Sequence, residues 1–106
     1  MQSKSDNVPI EIEFNQVNAD GNHVIIDCRT AEEYESGHLK HAVNIPLQHL
    51  SFVLDTFPCE KDDTFYVYCR SGNRSSTFVT YLRSIGFEYG QSITDGFESW
   101  GDSTTC

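Results

Sequence analysis

Short apolar runs alternate with helical patterns along most of this chain, and that alternation limits the folds open to it. Residues 23–27, His-Val-Ile-Ile-Asp, carry a β-branched run that reads as a buried strand. Thr30-Ala31-Glu32-Glu33 follows and matches a capping box, with Thr30 as cap and Glu33 reaching back to the cap amide. A helix over 31–36 is expected, closed by Gly37. Residues 42–46, Ala-Val-Asn-Ile-Pro, form a second short strand ended by proline. Leu47, Leu50, Leu54 and Phe57 then fall at spacings of three and four, a helical face that Pro58 terminates. A strand over 64–68, a helix from about Ser75 to Ile85 stopped by Gly86, and a strand over 91–94 complete the series. Ile10, Ile12 and Phe14 alternate with glutamates ahead of it, as in a half-buried edge strand. A turn is expected over 18–22, and a final helical turn over 97–100.

Strand–helix alternation of this kind specifies an α/β fold: a central, mostly parallel sheet of about five strands with helices on both faces. The 106 residues suit one core. We read them as one domain, 1–106, with a polar lead-in over 1–9 and a frayed tail over 102–106.

In an open α/β sheet, ligands bind beyond the carboxyl ends of the strands. The strand ending at Tyr68 runs directly into Cys69-Arg70-Ser71-Gly72-Asn73-Arg74-Ser75, where a helix starts. A tight glycine-containing turn can aim successive backbone N–H groups inward as an anion nest. The helix start adds its positive end, and Arg70 and Arg74 add fixed charge. A thiol so placed has its pKa lowered to about 3.5–7.5, so Cys69 is expected to be a thiolate at neutral pH without a separate base.

These residues resemble the rhodanese (thiosulfate sulfurtransferase) family, specifically its small single-domain members. The resemblance covers roughly residues 10–100. Val24-Ile25-Ile26-Asp27-Cys28-Arg29 is similar to the family's strand ending in Asp-x-Arg. Glu33-Tyr34 and Gly37-His38-Leu39 fit its next pattern, and Ala42-Val43-Asn44-Ile45-Pro46 its Ala-x-Asn-Ile-Pro segment. Residues 69–75 match its active-site loop, and Gly96 with Trp100 its Gly-x-x-x-Trp tail. Two positions depart from the pattern at expected turns: His41 and Asp95 stand where glycine is usual.

The resemblance implies covalent sulfur transfer. Cys69 would take sulfane sulfur from thiosulfate or a persulfide donor, become a persulfide, and pass the sulfur to a thiol, to cyanide in vitro, or to a sulfur-accepting protein. Arg70, Ser71, Gly72, Asn73, Arg74 and Ser75 would bind the substrate. Asp27, Arg29 and His38 would support the site, with Asp27 and Arg29 read first as a structural ion pair. No cofactor is expected beyond the persulfide itself. Two other readings stay open: a sulfur-carrier or protein-binding module with little turnover, and a phosphatase or arsenate reductase. Only four residues separate Cys69 from Arg74; related phosphatases have five, so the shorter loop favours sulfur.

Composition narrows the partners. A formal net charge of −9 argues against nucleic acid and anionic membranes. No apolar run is long enough to span a bilayer. The polar first residues lack a signal peptide's apolar middle, which points to the cytoplasm, or to the periplasm if a leader has been removed. Cys28, Cys59, Cys69 and Cys106 are irregularly spaced and pair with no histidine as zinc ligands do, so no metal is expected. Cys28 reads as a small inward-facing hydrophobe, with a resolving or protective role toward Cys69 as the alternative. Cys59 and Cys106 read as exposed thiols.

Overall fold

The computed structural model describes residues 9–14, 17 and 23–94. The expected turns over 18–22 and 97–100, together with Asp95, Gly96, Trp100 and Cys106, lie outside them. Among the described residues there are five strands: β1 (Glu11–Ile12), β2 (Val24–Asp27), β3 (Val43–Asn44), β4 (Phe65–Tyr68) and β5 (Gly90–Ile93). They form one sheet in the order β1-β5-β4-β2-β3. Every neighbouring pair is parallel, so the sequence expectation of a parallel α/β sheet holds.

Side-chain alternation along β4 divides the core into two layers. Phe65 and Val67 pack on one face with Val24, Ile26, Phe78, Val79 and Leu82. Tyr66 and Tyr68 pack on the other with Ile25, Leu39, Ile93 and Tyr34. All four β4 residues are buried, as a central parallel strand covered on both sides requires. Helix α2 (Asn73–Ser84) supplies the first face, and Tyr34 of α1 (Ala31–Ser36) belongs to the second. Phe65, Tyr66 and Tyr68 are core residues.

Helix α1 starts as its sequence dictates. Thr30 accepts from the Glu33 amide, and the Glu33 side chain returns a bond to the Thr30 amide. Tyr34 ties this short helix to the sheet edge by donating to the Ala42 carbonyl at 2.7 Å. His41 adopts φ 70°, the left-handed turn that its glycine-like position demands.

Two expectations are corrected. The helical face from Leu47 to Phe57 is built from two 3₁₀ segments, Leu47–Phe52 and Leu54–Thr56. Val53 and Thr56 are β-branched, and Ser51 and Asp55 compete for backbone bonds, so three-residue bonds such as Val53 N–H to Leu50 O replace the α-helical ladder. Cys59 is buried among the core residues, not exposed. It sits in an apolar layer with Phe57, Phe65 and Phe87, and burial pushes its thiol up to about 12. A polar surrounding sequence concealed this, because a small side chain needs no apolar neighbours in sequence to fill a gap between aromatic rings.

Candidate active site

Strands β2 and β4 are neighbours in register, with Asp27 opposite Tyr68. Their carboxyl ends therefore bring Asp27-Cys28-Arg29 beside Cys69 and the loop that follows. This juxtaposition organises everything at the site.

The loop after β4 curls around its own first residue. The Gly72 amide donates to Cys69 Sγ at 3.0 Å and the Ser75 amide at 3.4 Å. The turn depends on Gly72, which holds φ +96° as the cap of α2. A Cβ there would stand 2.6 Å from the Thr94 carbonyl oxygen, so the position excludes side chains both by conformation and by space. Helix α2 begins one residue later and directs its unsatisfied N–H end at the same sulfur.

Ser75 extends the cradle. Its Oγ lies 3.6 Å from Cys69 Sγ, 3.1 Å from the Gly72 carbonyl and 2.7 Å from Ser92 Oγ. A hydroxyl has one proton for these three acceptors. An ionised sulfur is the charged acceptor among them and claims it, while Ser92 donates to Ser75. Sequence reasoning did not find Ser92. The signal for it was a serine inside an otherwise closed strand, a polar group that burial obliges to find a partner.

Cys28 completes the first contacts of Cys69. It stands beside Cys69 on the neighbouring strand end, and each of the two residues is 1 % exposed. The neighbouring Cys28 thiol is the largest influence lowering the Cys69 pKa. Burial opposes it, and the Ser75 amide, the Ser75 hydroxyl and the Ser71 amide reinforce it, leaving Cys69 at about 4. Cys28 moves the opposite way, raised by its neighbour Cys69 and by burial. The pair therefore holds one negative charge, on Cys69, and one proton, on Cys28.

The remaining predicted site residues divide. Arg74 forms a bidentate pair with Glu33 of α1, at 2.8 and 3.1 Å. Its charge still couples to Cys69 through space. The same pair holds the Glu33 carboxyl down at about 2. Glu33 thus serves two ends at once, as helix cap and as arginine partner; its capping spacing revealed only the first. Arg70, Ser71 and Asn73 are exposed on the loop.

Asp27 and Arg29 form the expected structural pair. Arg29 Nη2 donates to Asp27 Oδ2 at 2.6 Å and to the Gly37 carbonyl at 2.6 Å. Tyr68 donates its hydroxyl to the same carboxylate at 2.8 Å and accepts from the Leu39 amide at 3.0 Å. His38 turns back to α1: its ring stacks on Tyr34 at 3.6 Å, and Nδ1 lies 2.7 Å from the Tyr34 carbonyl. Among the described residues, no cluster of three or more histidine, cysteine or acidic side chains is placed to hold a metal, and no helix is long and apolar enough to cross a membrane.

Known proteins are similar to this chain in sequence and in fold. The model of the rhodanese-like domain matches residues 12–103. The chain belongs to the rhodanese-like family. An adenylyltransferase and sulfurtransferase, uba4, of Ogataea parapolymorpha is 35% identical over 97 residues, covering 92% of this chain and 24% of the relative. The thiosulfate sulfurtransferase PspE of Escherichia coli is 34% identical over 64 residues, covering 60% of this chain and 62% of PspE. The chain thus spans about a quarter of the first relative's length and less than two thirds of the second's. A solved rhodanese-like domain protein from Staphylococcus aureus superimposes with a TM-score of 0.68 at 32% identity, covering 76% of each chain. The curated relatives of this rhodanese-like chain include sulfurtransferases and a putative sulfur carrier protein of Bacillus subtilis.

Proposed function

We propose that this rhodanese-like domain is a sulfurtransferase that moves sulfane sulfur from thiosulfate or a persulfide donor to a thiophilic acceptor through a persulfide on Cys69. The observation that carries this reading is the cradle: two amides and a hydroxyl converge on the Cys69 sulfur, an arrangement that lowers its pKa well below that of a free thiol. The Cys69 thiolate attacks the outer sulfur of thiosulfate. A bond forms between them as the sulfur–sulfur bond of thiosulfate breaks, and sulfite leaves with the electron pair. The outer sulfur now carries the negative charge, one bond further out. Cyanide, or a thiolate, attacks that sulfur and returns Cys69 to its starting state. Each half-reaction is complete before the next begins, so ping-pong kinetics are expected.

Arg74 contributes positive potential near the loop while Glu33 holds it in place. Arg70, exposed at the loop, serves in this reading to meet the anionic donor, which a chain of net charge −9 otherwise repels at longer range.

The test is intact mass under non-reducing conditions after brief exposure to thiosulfate, for the wild type and for Cys69→Ala. Wild type is expected to gain one sulfur atom that cyanide removes as thiocyanate, and the variant to gain none. A reduced wild type that gains nothing overturns the thiosulfate reading.

A further inference from the structure

Cys28 has a property that packing alone does not require. The parallel register that pairs Asp27 with Tyr68 places Cys28 and Cys69 side by side on adjacent strand ends. The Cys28 amide bonds the Tyr68 carbonyl at 3.0 Å, so the pairing continues up to these two residues. Neighbouring strands lie about 4.8 Å apart, inside the window of about 4.4–6.8 Å between Cα atoms that a disulfide needs. Both side chains face the α2 layer of the core, in one cluster of buried residues. A buried hydrophobe at position 28 would fill space equally well without a thiol set against the reacting sulfur.

Resting on the sulfur-transfer reading above, we propose that Cys28 is a resolving thiol that attacks Cys69 Sγ in the persulfide, closes a Cys28–Cys69 disulfide and expels the outer sulfur as hydrosulfide. The Cys28 Sγ–Cys69 Sγ bond forms as the bond from Cys69 Sγ to the outer sulfur breaks. The electron pair of the broken bond leaves with the outer sulfur, and the Cys28 proton ends on it. The outer sulfur is reduced to sulfide while the Cys28 sulfur is oxidised from thiol to disulfide and the Cys69 sulfur keeps its oxidation level, so this step needs no outside oxidant. Restoring both thiols requires an external dithiol, which the disulfide oxidises.

One feature favours this internal route. Cys28 stands beside Cys69 on the adjacent strand end, and a reactant held in place has an effective concentration far above that of any free thiol. Sulfur transfer and hydrosulfide release thus compete for one intermediate, and the supply of acceptor decides between them. Cys59, although in the same core layer, is set against aromatic rings, and no bond links it to Cys69.

The experiment loads reduced wild type and Cys28→Ser with one equivalent of thiosulfate, without any acceptor, and measures sulfite and hydrosulfide separately. Serine keeps an O–H donor to Cys69 but cannot form a disulfide. Both chains are expected to release sulfite, Cys28→Ser more slowly because it lacks the thiol that most lowers the Cys69 pKa. Only the wild type is expected to release hydrosulfide, approaching one per chain, and to end two hydrogens lighter than the reduced protein with a Cys28–Cys69 peptide on mapping. Cys28→Ser is expected to retain its added sulfur. A wild type that keeps the sulfur, or a Cys28→Ser chain that releases as much hydrosulfide, overturns the proposal. If neither chain releases sulfite, the thiosulfate reading is what has failed. Oxidation of the reduced wild type with diamide then decides the pair: a Cys28–Cys69 peptide supports it, and any other linkage removes it.

Discussion

The chain leaves β2 and β4 at the same end of the sheet, one strand apart, and uses its polar groups in opposite ways at the two exits. After β2, every strong donor turns inward on the protein. The Asp27 carboxylate accepts from the Arg29 amide, the Arg29 guanidinium and the Tyr68 hydroxyl, and Asn44 Nδ2 closes the carbonyls of Asp27 and Arg29 at 3.0 Å each. After β4, the amides of Gly72 and Ser75 converge on one sulfur atom. The first exit is a saturated buried network, costly to break. The second holds its donors around the sulfur atom that the proposed transfer loads. The difference is the physical ground for placing the proposed chemistry at the second end: its donors are not already consumed by carboxylates and carbonyls.

The comparison breaks most sharply at Asp27. Asp27→Ala leaves the Arg29 charge buried and the Tyr68 hydroxyl without its acceptor. Removing one partner of a buried pair costs about 3–5 kcal/mol. A fall of that size in unfolding free energy, read from urea midpoints, is expected, while sulfur uptake per folded molecule changes far less. If uptake collapses and stability holds, the chemistry is not confined to the second exit.

Gly72→Ala is the counterpart at the second exit. A left-handed φ costs an L-residue roughly 1–2 kcal/mol, and the Thr94 carbonyl leaves the new methyl no room. The expected loss of stability is smaller than for Asp27→Ala, and the loss of sulfur uptake is much larger, because the Gly72 and Ser75 amides move off the sulfur. The rate of iodoacetamide alkylation against pH reports the same event. Wild type is expected to titrate near pH 4, and Gly72→Ala at a higher pH.

The smallest effect belongs to Glu33→Gln. The Glu33–Arg74 pair is about one third exposed on each side, where such pairs contribute about 0.2–1 kcal/mol. The sign with pH is fixed. Arg74 lowers the folded-state pKa of Glu33 from 4.5 to about 2, so its contribution is full above pH 4.5 and lost as pH falls toward 2. The wild-type advantage over Glu33→Gln, followed by thermal unfolding, is expected to shrink across that interval. A constant difference would place the stabilisation elsewhere.

Local rules made much of this legible in advance. The capping box at Thr30 and Glu33, the buried strand at 24–27 and the loop from Cys69 into a helix each follow from a few adjacent residues, and each is present. What stayed hidden depends on contacts between distant segments. The pairing of Arg74 with Glu33, the reach of Ser92 to Ser75 and the burial of Cys59 are tertiary facts without local spacing. The 3₁₀ segments were hidden for a related reason: spacings of three and four fit both helix types, and weak helix formers decided between them. The Cys28 contact lay between these cases. Its register follows from two strands ending in step, but sequence alone gives no alignment between them.

The sheet joins its first strand to its last. β1 has β5 as its partner, Thr94 N–H bonds the Ile12 carbonyl at 2.8 Å, and Gln91 and Arg83 reach the Pro9 carbonyl. Chains are made from the N-terminus, so on the ribosome β1 waits until β5 has been made for the strand it will lie against. The cradle waits too, because the Thr94 carbonyl that walls in Gly72 and the Ser92 hydroxyl bonded to Ser75 both come from β5 or the residue after it. A nascent chain halted before residue 90 already contains Cys69 but lacks the strand that finishes its surroundings. The order of synthesis thus separates the making of Cys69 from the completion of its cradle.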